Sequence, residues 1–232
     1  MSVSNIPVCR DAIIASDLHC KRDKPCRALQ YILEAYKTFS ADCLIIAGDL
    51  FEDLHFPLSP REVIYYIKRI VDNKALPKKL IYVTSGASHD PIIDNVAIID
   101  EDGGIIVIAP RKLVIGIGGR KVCVVHGDIF LKNGVLAHLY NRISSFLGKK
   151  LALEERLKEI FGSECEWLIA GHTHISGIDY ARKVANPGTW KNTWFFQLPY
   201  WRRSTNTFIY FGRKKITLIK INGDNIAEQA TL

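Results

Sequence analysis

This chain of 232 residues has a single methionine, no C-x-x-C pair and no apolar run near the ~18 residues expected of a membrane span. The missing run excludes a spanning helix. The start, MSVSNIPVCR, has no basic segment followed by an apolar one, so no secretory signal is expected and the protein is expected to be cytoplasmic. The sequence shows neither a repeat nor a low-complexity linker. Six cysteines (Cys9, Cys20, Cys26, Cys43, Cys123 and Cys165) sit mostly in or beside apolar runs, and only Cys20 and Cys26 are close in sequence. They read as buried free thiols in preference to a zinc site or a disulfide framework. One methionine with abundant isoleucine points towards a thermophile.

What is present is an ordinary globular composition, 48% apolar and 24% charged, with a net charge of +7. The positive balance favours anionic partners, that is phosphates, nucleic acid or an acidic membrane face, without choosing among them.

Five Ile- and Val-rich runs share one kind of ending. Ala12 to Ser16 leads to Asp17-Leu18-His19, and Cys43 to Ala47 to Gly48-Asp49. Leu80 to Val83 leads to His89-Asp90, Val122 to Val125 to His126-Gly127-Asp128, and Trp167 to Ala170 to Gly171-His172-Thr173-His174. Near-continuous apolar runs read as strands buried on both faces. Between the first three, Cys26–Ala41 and Arg61–Leu76 carry helical spacing, which predicts parallel βαβ units and an open α/β sheet. Later, Arg111–Val125 reads as strand with a turn at Gly118-Gly119, and Leu131–Phe161 as two helices broken near Gly148. Gly177–Ala185, Trp194–Pro199, Asn206–Phe211 and Lys215–Ile221 read as further strands. So much late strand calls for a second sheet packed on the first.

In open α/β sheets ligands bind just beyond the carboxyl ends of the strands. If the five runs are neighbours, His19, His89, His126, His172 and His174 meet Asp17, Asp49, Asp90 and Asp128 at one edge. Carboxylates mixed with imidazoles suit Mn²⁺, Fe²⁺ or Zn²⁺ and not calcium. The set exceeds what one tetrahedral ion needs. Two ions, sharing a carboxylate and a bridging hydroxide, would use it and suit attack on phosphorus.

In these residues the chain resembles the calcineurin-like metallophosphoesterases, whose motifs run in the order D-x-H, G-D, G-N-H-D/E, G-H or H-G-D, and G-H-x-H. The likeness spans positions 12 to about 190. It implies a four-layer α/β/β/α sandwich of two mixed sheets and two divalent ions, Mn²⁺ first, with Fe²⁺ or Zn²⁺ as alternatives. It also implies that Asp17, His19 and His174 bind one ion, His126 and His172 the other, and Asp49 bridges. His89 would sit outside the metal shell and serve the phosphoryl oxygens or the leaving group, with Asp90 orienting its ring. Ser88 stands where the family has a metal-binding asparagine, and would bind the second ion directly, through a water, or leave that place to substrate.

Within the superfamily the chain looks most similar to the UDP-2,3-diacylglucosamine hydrolase branch, with the helical insertion at about 131–162 falling where that branch carries a cap. The whole chain is expected to be one domain with that insertion. The expected substrate is a phosphorylated small molecule or a lipid-linked pyrophosphate, with peripheral membrane contact open. Arg22, Lys24 and Asp128 are candidates to face it. The alternatives are a nuclease of the same superfamily and a non-catalytic scaffold resembling the retromer subunit, which lacks the histidine that His89 keeps here.

Overall fold

The computed structural model describes residues 7–72, 75–86, 89–192, 202–222 and 225–229. Ser88 and the strand expected at 194–199 lie outside these residues. The first βαβ units form as the apolar runs dictate. Strands β1 (Ala12–Ala15), β2 (Cys43–Ala47) and β3 (Lys79–Thr84) pair in parallel, joined by helices α1 (Arg27–Thr38) and α2 (Pro60–Ile70). Helix α2 starts where its chemistry says it should. Ser59 and Glu62 close a reciprocal capping box, Pro60 opens the first turn, and Val63, Ile64, Ile67 and Ile70 line the buried face. It ends six residues before the expected Leu76, with Asp72 in the left-handed region (φ 59°).

A hairpin of β4 (Ala97–Glu101) and β5 (Gly104–Pro110) extends the sheet past β3, an addition the apolar pattern did not announce. At the other edge β11 (Thr207–Phe211) pairs antiparallel with β1 and is followed by β12 (Ile216–Asn222) and β13 (Asn225–Gln229). The second sheet runs β6 (Lys112–Ile117), β7 (Arg120–Val125), β8 (Trp167–Ala170), β10 (Val184–Asn186), β9 (Gly177–Asp179). The strand expected over 177–185 is in fact β9 and β10, folded on each other by a turn that Asp179 caps by accepting from the Arg182 amide. Helices α3 (Gly134–Phe146) and α4 (Ala152–Phe161) lie between β7 and β8 in sequence.

Alternate residues of each strand face opposite ways, and this orders the layers. Ile13, Leu44, Ile46 and Tyr82 pack with Leu29, Ile32, Val63 and Ile67 of α1 and α2. Their neighbours Ile14, Ile45, Ile81 and Val83 pack with Leu113, Val122, Val124 and Ile169 of the second sheet. That sheet's outer face, Cys123, Val125, Leu168 and Ala170, packs with Ala137, Leu153 and Leu157 of α3 and α4. The order is α/β/β/α, as expected, with both sheets mixed.

The cysteines correct the reading of free thiols. Cys9 bonds Cys43, Cys20 bonds Cys26, and Cys123 bonds Cys165, leaving no free cysteine among the described residues. Spacing hid this, because pairing of β1 with β2 and of β7 with β8 brings together cysteines 34 and 42 positions apart.

Candidate metal centre

The loops leaving β1 and β2 run side by side beyond the sheet. The Asp17 amide donates to Gly48 O (3.1 Å), His19 N to Asp49 O (3.0 Å) and Cys20 N to Leu50 O (2.8 Å). This forces unusual backbone. Asp17, His19, Asp49, His172 and His174 have φ of 53°, 50°, 47°, 70° and 59°. Non-glycine residues there cost of order 1–3 kcal/mol each and persist only where the surroundings impose them. The five that do so here are five of the expected metal ligands. Two glycines allow the close approach: a Cβ on Gly48 would run into the His126 ring, and one on Gly171 into the Asp17 carboxylate.

Asp17 is wholly buried. Its Oδ2 accepts from the His172 amide (2.9 Å) and its Oδ1 lies 3.1 Å from His174 Nε2. Asp49 Oδ2 lies 3.4 Å from His126 Nε2 and 3.8 Å from His19 Nε2, while its buried Oδ1 has no hydrogen-bond partner among the described residues. Three overlapping sets have all their donor atoms within 4.8 Å of one another: Asp17, His19 and His174; His19, Asp49 and His89; and Asp17, Asp49 and His126. His172 joins through His126, its Nδ1 lying 3.2 Å from His126 Nε2.

The imidazoles are held by the nitrogen that faces away from the cluster. His126 Nδ1 is 3.3 Å from Ala47 O, His89 Nδ1 3.1 Å from Glu52 O, His172 Nε2 2.7 Å from Leu131 O, and His19 Nδ1 2.6 Å from Glu52 Oε2. An N–H anchored on an outer acceptor leaves the other nitrogen's lone pair for a ligand, the usual arrangement of metal-bound histidine. His126 Nε2 and His172 Nδ1 would then face each other with two lone pairs, which a cation between them would reconcile.

Burial works to raise the Asp49 and Asp17 pKa values, but the imidazoles beside them, His126 and His19 for Asp49 and His174 and His126 for Asp17, outweigh it and hold both below the ordinary range. Against its own burial, His126 is held well above its usual value by Asp49 and Asp17. Two buried carboxylates, an unpartnered oxygen and inward-facing imidazole nitrogens fit borderline divalent ions.

One expectation needs correction. Asp90 does not touch the His89 ring. Its oxygens accept from the amides of Asp49 (2.7 Å), Ser85 (2.9 Å) and Phe51 (3.2 Å), tying the β3 loop to the β2 loop, while the Glu52 carbonyl orients His89. Asp128, buried, accepts from the Gly86 amide through Oδ2 (2.7 Å), while its Oδ1 has no hydrogen-bond partner among the described residues. Arg22 lies 5.5 Å over the Phe56 ring and Lys24 is exposed in its turn. Lys21 and Lys191, with His19, Glu52, Trp190 and Asn192, line a cavity of about 220 Å³ beside the cluster.

Sequence reasoning missed Glu52, Lys191 and Glu154. Glu52 links His19 to Lys191 (Nζ to its two oxygens, 2.8 and 2.9 Å). Burial raises its carboxyl pKa, and the hydrogen bonds from His19 and Lys191 bring it down to about 2. Its only sequence signal was its place three residues after the Gly48-Asp49 pair. Glu154 gave none, standing in an ordinary amphipathic run.

The match to the calcineurin-like phosphoesterase superfamily domain covers residues 11–200, and the chain belongs to that superfamily. No curated protein is matched by its sequence. Among solved structures, the Zn²⁺ complex of wild-type Vps29 from Entamoeba histolytica is 14% identical, with a TM-score of 0.54 over 94% of this chain and 97% of that one. YfcE, a phosphoesterase from E. coli, is 17% identical with a TM-score of 0.46 over 96% of this chain and 100% of that one. At these identities the Vps29 likeness speaks for the fold alone.

Proposed function

We propose that the protein is a hydrolase of phosphodiester or pyrophosphate bonds that works with two divalent ions, Mn²⁺ first, held by Asp17, His19, Asp49, His126, His172 and His174. The observation that carries this is the overlap of the three ligand sets on Asp17, His19 and Asp49, which one four-coordinate ion could not use in full. When bound, such a pair lowers the pKa of water and neutralises phosphoryl oxygens. His89, anchored through Nδ1, presents Nε2 beside Asp49 and His19, where it can hold a proton for the leaving oxygen or donate to a phosphoryl oxygen. Lys21 and Lys191 place positive charge in the cavity beside His19, suited to a second phosphate.

Within this class we favour the pyrophosphate of a lipid-linked or nucleotide-sugar substrate, in the manner of the UDP-2,3-diacylglucosamine hydrolase branch. The support is the helical insertion. The Leu131 carbonyl lies 2.7 Å from His172 Nε2, and the apolar stripe of α3 faces outwards, with Phe146 89% and Leu147 80% exposed. A stripe left out of the core suits an apolar substrate portion.

The test is hydrolysis of bis-p-nitrophenyl phosphate with Mn²⁺, Fe²⁺ or Zn²⁺, beside a UDP-linked pyrophosphate with and without acyl chains. Turnover that requires the metal supports the class, and a preference for the acylated substrate supports the branch. No hydrolysis with any divalent ion would point to a metal-binding scaffold, and salt-sensitive cleavage of DNA to a nuclease.

A further inference from the structure

Glu154 lies on α4, wholly buried, and every group it meets is a donor. Its Oε1 accepts from Thr173 Oγ1 (2.9 Å) and Asn186 Nδ2 (2.7 Å), and its Oε2 from Asn141 Nδ2 (2.8 Å). Neither amide can turn round. Asn141 Oδ1 is taken by the Leu153 amide (2.8 Å) and Asn186 Oδ1 by the Gly188 amide (2.7 Å). The site is therefore shaped for an accepting carboxylate, whose hydrogen bonds oppose the burial that pushes its pKa up. A protonated acid or a glutamine would set a hydrogen against a donor. Burying a charge among neutral donors is costly, and a helix at the rim of the fold has no packing need for it.

The network converges on Thr173, the residue between His172 and His174, both of which are left-handed. Thr173 is gripped on two sides. Its hydroxyl goes to Glu154 of α4, and its carbonyl lies 2.8 Å from His138 Nδ1 of α3. Asn186 extends the grip to the Gly171 carbonyl (2.9 Å).

We propose that Glu154 is a positioning residue for the metal centre, fixing the His172-Thr173-His174 turn through Thr173, so that the α3–α4 insertion is part of the ligand scaffold. This rests on the metal reading of His172 and His174. The insertion is then rigid at its root, whatever its outer face receives.

Co²⁺ alone is a suitable probe, titrated calorimetrically and followed by its d–d absorption in wild type, Glu154→Gln, Thr173→Val and Thr173→Ser. Thr173→Val removes one hydroxyl at nearly constant shape, so it decides the matter even if Glu154→Gln fails to fold. The expected result is about 10–100-fold weaker Co²⁺ binding with an altered d–d band in Thr173→Val and Glu154→Gln, the loss of affinity typical of outer-shell partners, and recovery in Thr173→Ser. Folded variants that lose thermal stability but bind Co²⁺ with wild-type affinity and spectrum overturn the proposal and leave the metal reading standing. Wild-type protein that takes up no Co²⁺ overturns both.

Discussion

The Glu52–Lys191 pair links the metal centre to stability. The Lys191 side chain is 9% exposed and that of Glu52 27%, and His19 leans on the same carboxylate at 2.6 Å. Glu52→Gln keeps the shape and removes the charge that Lys191 and His19 share. Breaking a fully buried pair costs roughly 3–5 kcal/mol, and the partial exposure of Glu52 brings this to about 2–3 kcal/mol. For a chain of this size that is a fall of roughly 5–10 °C in the melting temperature of the metal-free protein. Lys191→Met removes the ammonium that Glu52 meets, so in the double variant part of the loss returns. The deviation from additivity is expected at about 1.5–3 kcal/mol, well above the ~0.5 kcal/mol of independent sites. Because the same carboxylate orients His19, metal affinity should fall about 10–100-fold in Glu52→Gln. The sign with pH is fixed as well. With its pKa lowered from 4.5 to about 2, Glu52 contributes stability that is complete above 4.5 and lost as pH falls towards 2. Additive variants with unchanged metal affinity would refute the reasoning and make Glu52 an ordinary surface carboxylate.

Other predictions address the rest of the centre and the fold. Asp49→Asn should abolish metal binding and turnover, whereas His89→Asn should abolish turnover and keep the metal, as read by metal analysis beside phosphodiester hydrolysis. Asp90, driven by burial and by the charge of Asp49, has its pKa raised from 3.8 to about 6. The folded state therefore holds its proton more tightly, and its contribution to stability falls as pH rises from 3.8 through 6. Relative to Asp90→Asn, metal-free wild-type protein should gain up to about 3 kcal/mol between pH 7 and pH 4 in denaturant titrations, and a constant difference would contradict this. Opening the Cys123–Cys165 bridge by double substitution with serine should cost roughly 4 kcal/mol, the chain-entropy value for a loop of this length, and an unchanged denaturation midpoint would contradict it.

The centre was legible in the sequence because it sits where buried strands stop. Runs such as Cys43 to Ala47 can be strands of a covered sheet, so the polar residues that follow them fall on one edge. The layers were legible in part, since strand alternation in β7 and β8 separates the face towards the first sheet from the face towards α3 and α4. What was hidden depends on tertiary pairing. The disulfides Cys9–Cys43 and Cys123–Cys165 need the sheet register to bring their ends together. Asp90 looked like a partner for the adjacent His89, but the turn sends its carboxylate back to three amides. Glu154 has the surroundings of any surface glutamate in sequence, and only the fold buries it against Thr173. The apolar stripe of α3 could equally have packed on the core, and its exposure is set by the helix's rotation about Ala137, His138 and Asn141, the residues it buries.

The central claim is tested most directly by a crystal structure of Mn²⁺-soaked protein with anomalous data collected at the manganese edge. Two anomalous peaks with the Asp49 carboxylate between them, and His19 and His126 on opposite sides, is the result predicted. A single peak, or two peaks that Asp49 does not touch, would contradict it.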